Sequence, residues 1–310
     1  MPNDAPTAAA RDELTSRVLP QMVFSDASNP LTAPLKAPEG LSPDACSQRR
    51  FSIEGNAIVT GGSGYLALTA IRALLEHGAS GISILDVGPS LSKAETGISQ
   101  LRQDFPQSTI IAFEVDVRDP TLVESVVKRT VEKLGSVDML LCFAGVVGTA
   151  HAHEYSLDEW KRLLDINTTG SWICAQAVGK QMIHQGTGGS ILFIASISAH
   201  HVNFPQPQVA YNVSKAGILQ MARSLAAEWA RFGIRVNSIS PGYMDTILNH
   251  GAGLDEGRNI WASRNPMGRM GDPEELTGPV VLLSSKVAGR YITGTDIMVD
   301  GTPFSGDLDG

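Results

Sequence analysis

The sequence predicts an α/β fold in which helices cover both faces of a doubly wound parallel sheet. Short, continuously apolar segments recur along the chain from residue 51 onward. Runs of this kind are typical of parallel strands that are buried on both faces. Longer segments with helical periodicity lie between them, so strands and helices alternate as they do in right-handed βαβ crossovers.

The elements follow in a regular order. Strands are expected at residues 57–60, 82–86, 110–115, 139–143, 190–195, 235–239 and 296–299. Helices are expected at residues 67–77, 122–134, 157–166, 171–183, 211–232 and 273–283. In a sheet of this kind ligands bind beyond the carboxyl ends of the strands, so the residues that follow each strand are the candidates for a functional site.

The first fifty residues differ from the rest of the chain. They are rich in proline and show no sustained period, which predicts an irregular N-terminal arm (residues 1–50) before a single dinucleotide-binding catalytic domain (residues 51–310). Two interpretations of the arm stay open. It is either a tail without fixed structure, or Val23, Phe24 and Leu31 hold it against the domain surface or a neighbouring subunit.

Composition excludes several classes of protein. With 43% hydrophobic and 18% charged residues the chain can bury a full core, and its net charge of −8 argues against holding nucleic acid by bulk charge. No apolar run reaches the roughly 20 residues that span a bilayer, and the N-terminal sequence lacks the apolar stretch of a secretory signal. Cys142 and Cys174 lie in apolar segments and no cysteine has metal-ligand spacing, so we expect reduced thiols, no metal and a cytoplasmic location.

A glycine-rich turn follows the first strand. Residues 60–67 read TGGSGYLA, so Gly62, Gly64 and Ala67 fit the G-x-G-x-x-G/A form between a strand and a helix. Glycines allow a tight turn and the close approach of a pyrophosphate, which then meets free N–H groups at the helix start. The turn therefore predicts a dinucleotide site, with a plain connection as the alternative.

The second strand ends at Asp86, where a carboxylate can accept hydrogen bonds from the adenosine ribose and repel a 2′-phosphate. No Arg or Lys occurs at residues 62–67 or directly after Asp86, and the nearest downstream base is Lys93. This favours NAD(H), with NADP(H) as the other option, unless Asp86 is only a structural cap. Asp116 and Val117 follow the third strand and Ala144 and Gly145 the fourth, and both pairs are expected to line the cofactor.

The densest chemistry lies between Ser196, at the end of the fifth strand, and Lys215. Tyr211 and Lys215 are four residues apart and share one helix face. A phenol has a pKa of about 10, and a lysine ammonium within roughly 5 Å is expected to lower it by about two units, or ~3 kcal/mol. Ser196 can hydrogen-bond a substrate carbonyl from the same place.

These features together resemble the short-chain dehydrogenase/reductase family, over residues 51 to about 301. The resemblance also includes Asn167 in DINTTGSW and the sequence PGYMDT from Pro241 to Thr246. It implies that Ser196, Tyr211, Lys215 and Asn167 are catalytic, with Asn167 kinking its helix and holding a proton-relay water near Lys215. The cofactor-binding residues that it implies are Gly61, Ser63, Gly64, Tyr65, Leu66, Asp86, Val87, Asp116, Val117, Ala144, Gly145, Tyr211, Lys215, Pro241, Gly242, Met244 and Thr246.

The segments ASISAHHVNFPQPQVAYNVSKAG, SPGYMDT and RNPMGRMGDPEEL are similar to the fungal polyol and ketose members of that family. The resemblance implies an NAD(P)-dependent oxidoreductase for a secondary alcohol and its ketone, such as a polyol and its ketose, and a homotetramer. Asn203, Gln206 and Gln208 are candidates for contacts with substrate hydroxyls. A reductase of a larger ketone and a catalytically idle dinucleotide-binding protein are the alternatives.

The sequence departs from the family pattern in three places. Tyr65 and Ala67 stand where most members carry glycine. The usual NNAG reads CFAG at residues 142–145, so the asparagine that braces the sheet is absent. Tyr211 follows Ser196 by fifteen residues, a longer spacing than is usual in the family. That spacing leaves Ser198 as an alternative to Ser196.

Overall fold

Seven parallel strands form one sheet. A computed structural model describes residues 16, 18–36, 38–246 and 255–301. Its strands are β1 (Asn56–Thr60), β2 (Gly81–Asp86), β3 (Thr109–Glu114), β4 (Met139–Cys142), β5 (Gly189–Ile194), β6 (Ile234–Pro241) and β7 (Asp296–Val299). They are ordered β3-β2-β1-β4-β5-β6-β7. Every predicted strand is present, and the order reverses between β1 and β4, which is the topological switch point where such sheets bind ligands.

The helices alternate with the strands, as predicted. They are α1 (Pro43–Phe51), α2 (Tyr65–Glu76), α3 (Gly88–Asp104), α4 (Pro120–Leu134), α5 (Leu157–Leu164), α6 (Ser171–Gln185), α7 (Val209–Trp229), α8 (Asp255–Ser263) and α9 (Thr277–Ser284). A π-helical turn (Asp165–Gly170) joins α5 to α6, and 3₁₀ turns (Ile197–Ala199 and Pro273–Leu276) follow β5 and precede α9.

The core is divided by the sheet into two apolar clusters. One cluster packs α4, α6 and α7 against one face, with Leu140 and Phe193 fully buried. The other packs α2, α3 and α9 against the opposite face, with Ile71 and Leu74 fully buried. Because both faces are covered, the strands are apolar on both sides, which is why their runs are continuous in the sequence.

Three helices were not expected. In α3 only Ile98 and Leu101 are buried, so its sequence has little helical periodicity. The helix α1 falls in the arm that was predicted to be irregular, and the Ser42 side chain caps it by accepting from the Ala45 N–H. The third, α8, lies in a polar segment with few apolar residues.

The arm contacts the domain through its middle. Leu31 packs on Gly233, where an added Cβ would stand 2.8 Å from the Leu31 Cβ. The Asn29 amide donates to the Arg231 carbonyl at 2.7 Å, and Arg290 Nε donates to the Ala33 carbonyl at 2.9 Å. Gly233 directly precedes β6, so this contact lies at the edge of the sheet opposite the carboxyl ends.

The expected anchors of the arm behave differently. Leu31 holds it against this chain's own surface, whereas Val23 and Phe24 remain 54% and 82% exposed. Within the described residues, no helix combines the length and apolarity needed to cross a membrane, and no group of three or more potential metal ligands occurs.

Candidate active site

The glycine-rich turn lies at the switch point and is shaped by Gly61. This residue has φ +60°, and a Cβ there would stand 2.5 Å from the Ala144 nitrogen, so only glycine fits between β1 and the chain after β4. The helix α2 begins at Tyr65 with no side-chain cap. Its first N–H groups can therefore receive a pyrophosphate.

The two departures in this turn are accommodated without strain in the helix. Tyr65 is 55% exposed at the first position of α2, and Ala67 is buried against the sheet. Leu66 packs partly buried against the same apolar cluster. The turn therefore keeps its strand–turn–helix form although glycine is absent at both positions.

Asp86 bonds directly to the turn. Its Oδ2 accepts from the Ser63 Oγ at 2.6 Å and the Ser63 N–H at 3.2 Å, and its Oδ1 accepts from the Val87 N–H at 2.8 Å. The structure thus brings together the two elements that were predicted to hold the pyrophosphate and the ribose. Glu114, opposite Asp86 in the β2–β3 register, places a second carboxylate at this edge.

Asp116 is engaged by Arg118. The guanidinium of Arg118 donates to both carboxylate oxygens, with the Nη2–Oδ2 distance 2.6 Å, and this lowers the pKa of Asp116. Arg118 is therefore committed to Asp116 rather than to Asp86. Val117 is buried beneath Gly170, where an added Cβ would stand 2.6 Å from the Val117 Cγ2.

Asn167 links the segment after β4 to the catalytic helix. It is buried in the π-helical turn, so the helix is interrupted there, as the resemblance implied. Its Oδ1 accepts from the Val146 N–H at 2.8 Å, and its Nδ2 donates to the Val146 carbonyl and to Ser214 Oγ, both at 3.0 Å. Ser171 Oγ donates to the Asn167 carbonyl at 2.7 Å.

Gly145 keeps open the space in which Asn167 and Lys215 meet. A Cβ at Gly145 would stand 3.3 Å from Asn167 Oδ1 and 3.6 Å from Lys215 Nζ. The neighbouring Ala144 N–H donates to Thr60 Oγ1 at 3.4 Å. This polar cradle beside the glycine turn fits the nicotinamide end of a dinucleotide, because a ligand can approach the lysine past a residue without a side chain.

Ser196, Tyr211 and Lys215 converge at the same place. Ser196 is buried at the end of β5, where its Oγ donates to Ser198 Oγ at 3.0 Å and accepts from the Ser198 N–H at 3.1 Å. Of these two serines only Ser196 acts to lower the pKa of Tyr211, which favours Ser196 over Ser198 as the partner of the phenol. Ser198 instead holds the Ser196 hydroxyl in place.

The pKa of Tyr211 departs from expectation. Burial raises it above its usual value of 10.0, the hydrogen bond with Ser196 acts in the opposite direction, and Tyr243 adds to the rise. The predicted lowering by Lys215 is therefore wrong for this arrangement, because desolvation of the phenolate dominates. At neutral pH the phenol keeps its proton, which is the state that carbonyl reduction requires.

The loop after β6 closes the site from the other side. The Gly242 N–H donates to the Val299 carbonyl at 2.9 Å, and a Cβ there would stand 2.7 Å from the Asp300 Cβ. Pro241 and Thr246 are buried at either end of the loop. Met244 is also buried, in the apolar cluster that includes α2. Residues 247–254, which follow this loop, lie outside the described residues.

Two contacts at this edge were not anticipated, one between aromatic rings and one between His200 and Asp296. The Tyr243 and Trp261 rings stack with centroids 4.5 Å apart, and both side chains hydrogen-bond Gln206. His200 Nε2 lies 2.9 Å from Asp296 Oδ2, joining the turn after Ser196 to β7. These pairs are far apart in sequence and carry no periodic signal. Gln208 bonds to Thr149 at 3.4 Å.

The fold and the site define an oxidoreductase, and the chain belongs to the short-chain dehydrogenase/reductase family. A family model described as enoyl-(acyl carrier protein) reductase matches residues 66–301. The D-arabinitol 2-dehydrogenase [ribulose-forming] of Candida tropicalis is 36% identical over 263 residues, covering 81% of this chain and 93% of that protein. The NADP-dependent mannitol dehydrogenase of Hypocrea jecorina is 37% identical over 258 residues, covering 81% and 93%.

A third relative and a solved structure extend the comparison. The NADH-dependent L-xylulose reductase of Ambrosiozyma monospora is 34% identical over 263 residues, covering 81% of this chain and 96% of that protein. A gluconate 5-dehydrogenase from Burkholderia cenocepacia J2315, in complex with NADP and tartrate, superposes with a TM-score of 0.74 at 29% identity, covering 82% of this chain and 97% of that one.

Proposed function

We propose that the protein interconverts a polyol and its ketose, with NAD(H) as the preferred hydride carrier. The observation that carries this proposal is the convergence of Ser196, Tyr211 and Lys215 beside the glycine-rich turn. The names of the similar dehydrogenases and reductases, which act on arabinitol, mannitol and xylulose, support the substrate class.

Each catalytic residue has a distinct task. The dinucleotide, when bound, supplies or accepts the hydride at its nicotinamide ring. In reduction the Tyr211 phenol gives its proton to the carbonyl oxygen, and the Ser196 hydroxyl hydrogen-bonds that oxygen as its negative charge develops. Lys215 supplies a buried positive charge next to Tyr211 and holds the cofactor ribose. Asn167 fixes the helix turn that faces Lys215.

The cofactor preference follows from the edge of β2 and β3. Asp86 would receive the ribose hydroxyls, and Gly61, Ser63, Gly64, Tyr65 and Leu66 form the turn and the uncapped helix start that would hold the pyrophosphate. Val87, Asp116, Val117, Ala144 and Gly145 would line the adenine and ribose side of the dinucleotide, and the loop from Pro241 to Thr246 would line the nicotinamide. Among these positions Asp116 is paired with Arg118, whereas Asp86 has no cationic partner among the described residues. The negative charge of Asp86 therefore disfavours binding of a 2′-phosphate.

The proposal includes an assembly and a location. Apolar side chains on α6 and α7 are exposed, among them Trp172 (37%) and Val213 (45%), and patches of this kind mark subunit contacts. A homotetramer formed through these helices buries them, and light scattering in solution tests that stoichiometry.

All three cysteines are free, which is consistent with a reducing, cytoplasmic compartment. Residues 51–310 form the catalytic domain, and the arm lies outside its chemistry.

Steady-state kinetics with a substrate panel test the function. L-xylulose, sorbose and fructose are compared with a bulky aromatic ketone, each with NADH and with NADPH. We expect the highest kcat/KM with a ketose and NADH. A higher kcat/KM with the aromatic ketone rejects the polyol assignment in favour of a reductase of larger ketones. Binding of NADH without turnover of any ketone identifies an idle dinucleotide-binding protein.

A further inference from the structure

A polar cluster joins the loop that precedes Tyr211 to the loop after β6. Asn203 belongs to the loop between Ser196 and Tyr211, and its Nδ2 donates to the Tyr243 hydroxyl at 3.1 Å. Tyr243 follows β6, and its hydroxyl is close enough to Tyr211 to disfavour ionisation of the catalytic phenol. Asn203 therefore reaches the cleft from one loop and is held there by another.

The position of Tyr243 is itself fixed. Its ring stacks on Trp261 with an interplanar angle of 5°, and Trp261 is buried on α8. Trp261 Nε1 donates to Gln206 Oε1 at 3.3 Å, and Arg258 on α8 bonds Asp245 at 2.9 Å. The stacked pair of Tyr243 and Trp261 thus joins three elements: the loop between Ser196 and Tyr211, the loop after β6, and α8.

The other end of the Asn203 amide has no protein partner. Its Oδ1 is buried, and among the described residues no group hydrogen-bonds it. Exchanging the two amide atoms leaves the same situation, because one atom then bonds Tyr243 and the other is again unsatisfied. A buried polar atom without a partner is costly, so this oxygen calls for a partner that the described residues do not supply.

We propose that Asn203 binds a hydroxyl group of the substrate close to its carbonyl carbon, with Tyr243 and Trp261 as the residues that position the amide. This deepens the proposed function, on which it rests, by assigning the recognition of a hydroxylated ketone to one side chain. A polyhydroxylated substrate satisfies the amide and an unhydroxylated ketone leaves it unpaired. Discrimination of this type is large when the site holds a buried polar group.

The test compares two ketones with the same carbon skeleton, L-xylulose and 2-pentanone. In Asn203→Leu we expect kcat/KM for L-xylulose to fall by about tenfold or more, and kcat/KM for 2-pentanone to stay within about threefold. Tyr243→Phe keeps the stack with Trp261 but removes the hydroxyl that holds Asn203, so it gives a smaller loss of the same selectivity. Val202→Ala, at an exposed neighbouring residue, is the matched control and leaves the ratio unchanged.

The outcomes separate this inference from the proposed function. Equal losses on both ketones, with the melting temperature retained, overturn the role of Asn203. If the unmodified enzyme turns over aromatic ketones and no ketose, the polyol assignment fails, and 2-hydroxyacetophenone and acetophenone then form the pair. In that case the inference is supported if the enzyme has a higher kcat/KM for 2-hydroxyacetophenone than for acetophenone and Asn203→Leu removes the difference. A difference that survives the substitution rejects the inference.

Discussion

Lys215 Nζ stands 5.7 Å from the centre of the Tyr211 ring and donates to the Ile194 carbonyl at 2.7 Å. Lys215 is buried on α7, and this hydrogen bond ties its ammonium group to the end of β5. Desolvation disfavours its charge and lowers the pKa of Lys215 from 10.5 to about 8. The residue that supplies the positive charge of the site therefore loses its proton near physiological pH.

The first prediction concerns pH. Because Lys215 is cationic below its pKa and neutral above it, cofactor binding that uses this charge weakens as the pH rises. We expect kcat/KM for NADH, which reports the free enzyme, to be level at lower pH and to fall above about pH 8. Initial rates between pH 6 and 10 at a saturating ketone concentration measure it.

Lys215→Arg is the matched control, because a guanidinium keeps its charge throughout this range. We expect a lower rate for Lys215→Arg at every pH, because the planar guanidinium does not reproduce the geometry of the lysine ammonium. The decline in kcat/KM for NADH above pH 8 is absent in this variant. The same decline in both enzymes assigns the titration to another group and contradicts the role given to Lys215.

The second prediction concerns the proton donor. Tyr211→Phe removes only the phenol hydroxyl, so the ring packing and the fold are retained. We expect turnover to fall by about a hundredfold or more, the usual scale for a positioned acid–base group. The affinity for NADH, followed by fluorescence, changes little. Near-normal turnover with intact cofactor binding refutes the assignment, and Tyr155→Phe, at a tyrosine outside the catalytic set, serves as the control for loss of a hydroxyl.

The sequence predicted the sheet well because each strand is buried on both faces and is apolar throughout. It also located Asp86 and Ser196, since each stands at a strand end where a parallel sheet gathers its ligands, whereas Asn167, which lies between two helices, came from the family resemblance alone. It could not predict the stack of Tyr243 on Trp261, because neither local spacing nor periodicity brings two such loops together. The sign of the pKa change at Tyr211 was wrong because proximity of a charge is visible in a sequence and the depth of burial is not.

The third prediction concerns the arm. Removing residues 1–41 leaves α1 and its bonds to the domain intact, including the Ser285 hydroxyl that donates to the Arg50 carbonyl. We expect turnover within several-fold of the full chain, because the arm contacts the edge of the sheet opposite the carboxyl ends. The melting temperature falls by a few degrees as the contacts of Asn29 and Leu31 are lost.

Arg290→Ala in the full chain removes the guanidinium that bonds the arm and isolates that part of the effect. A smaller fall in melting temperature, with unchanged turnover, is expected. A folded, soluble truncated chain without activity contradicts the prediction and makes the arm part of the site.

The last prediction concerns the choice of nicotinamide cofactor. Asp86 is bonded to Ser63, so its carboxylate lies beside the glycine-rich turn, where the adenosine ribose of a bound dinucleotide is expected. A 2′-phosphate there meets a like charge, which costs roughly 1–3 kcal/mol at an effective dielectric constant near 20. Glu114 adds a second carboxylate in register with Asp86, and Arg118 is held by Asp116. We therefore expect NADH to exceed NADPH in kcat/KM by about tenfold or more.

Two substitutions and one control separate the carboxylates. Asp86→Ser removes the charge but keeps a hydroxyl that can bond the ribose, so the preference for NADH over NADPH in kcat/KM narrows or reverses. Glu114→Gln removes the neighbouring charge and narrows the preference for NADH less than Asp86→Ser does, because the Glu114 carboxylate lies over Gly88 rather than against the glycine-rich turn. Glu132→Gln, on an exposed position of α4, removes one negative charge elsewhere and leaves the ratio unchanged. If the unmodified enzyme prefers NADPH, or Asp86→Ser leaves the ratio as it was, Asp86 serves only to brace the turn through Ser63, and cofactor choice must then come from Lys93 or another base brought to the ribose by α3.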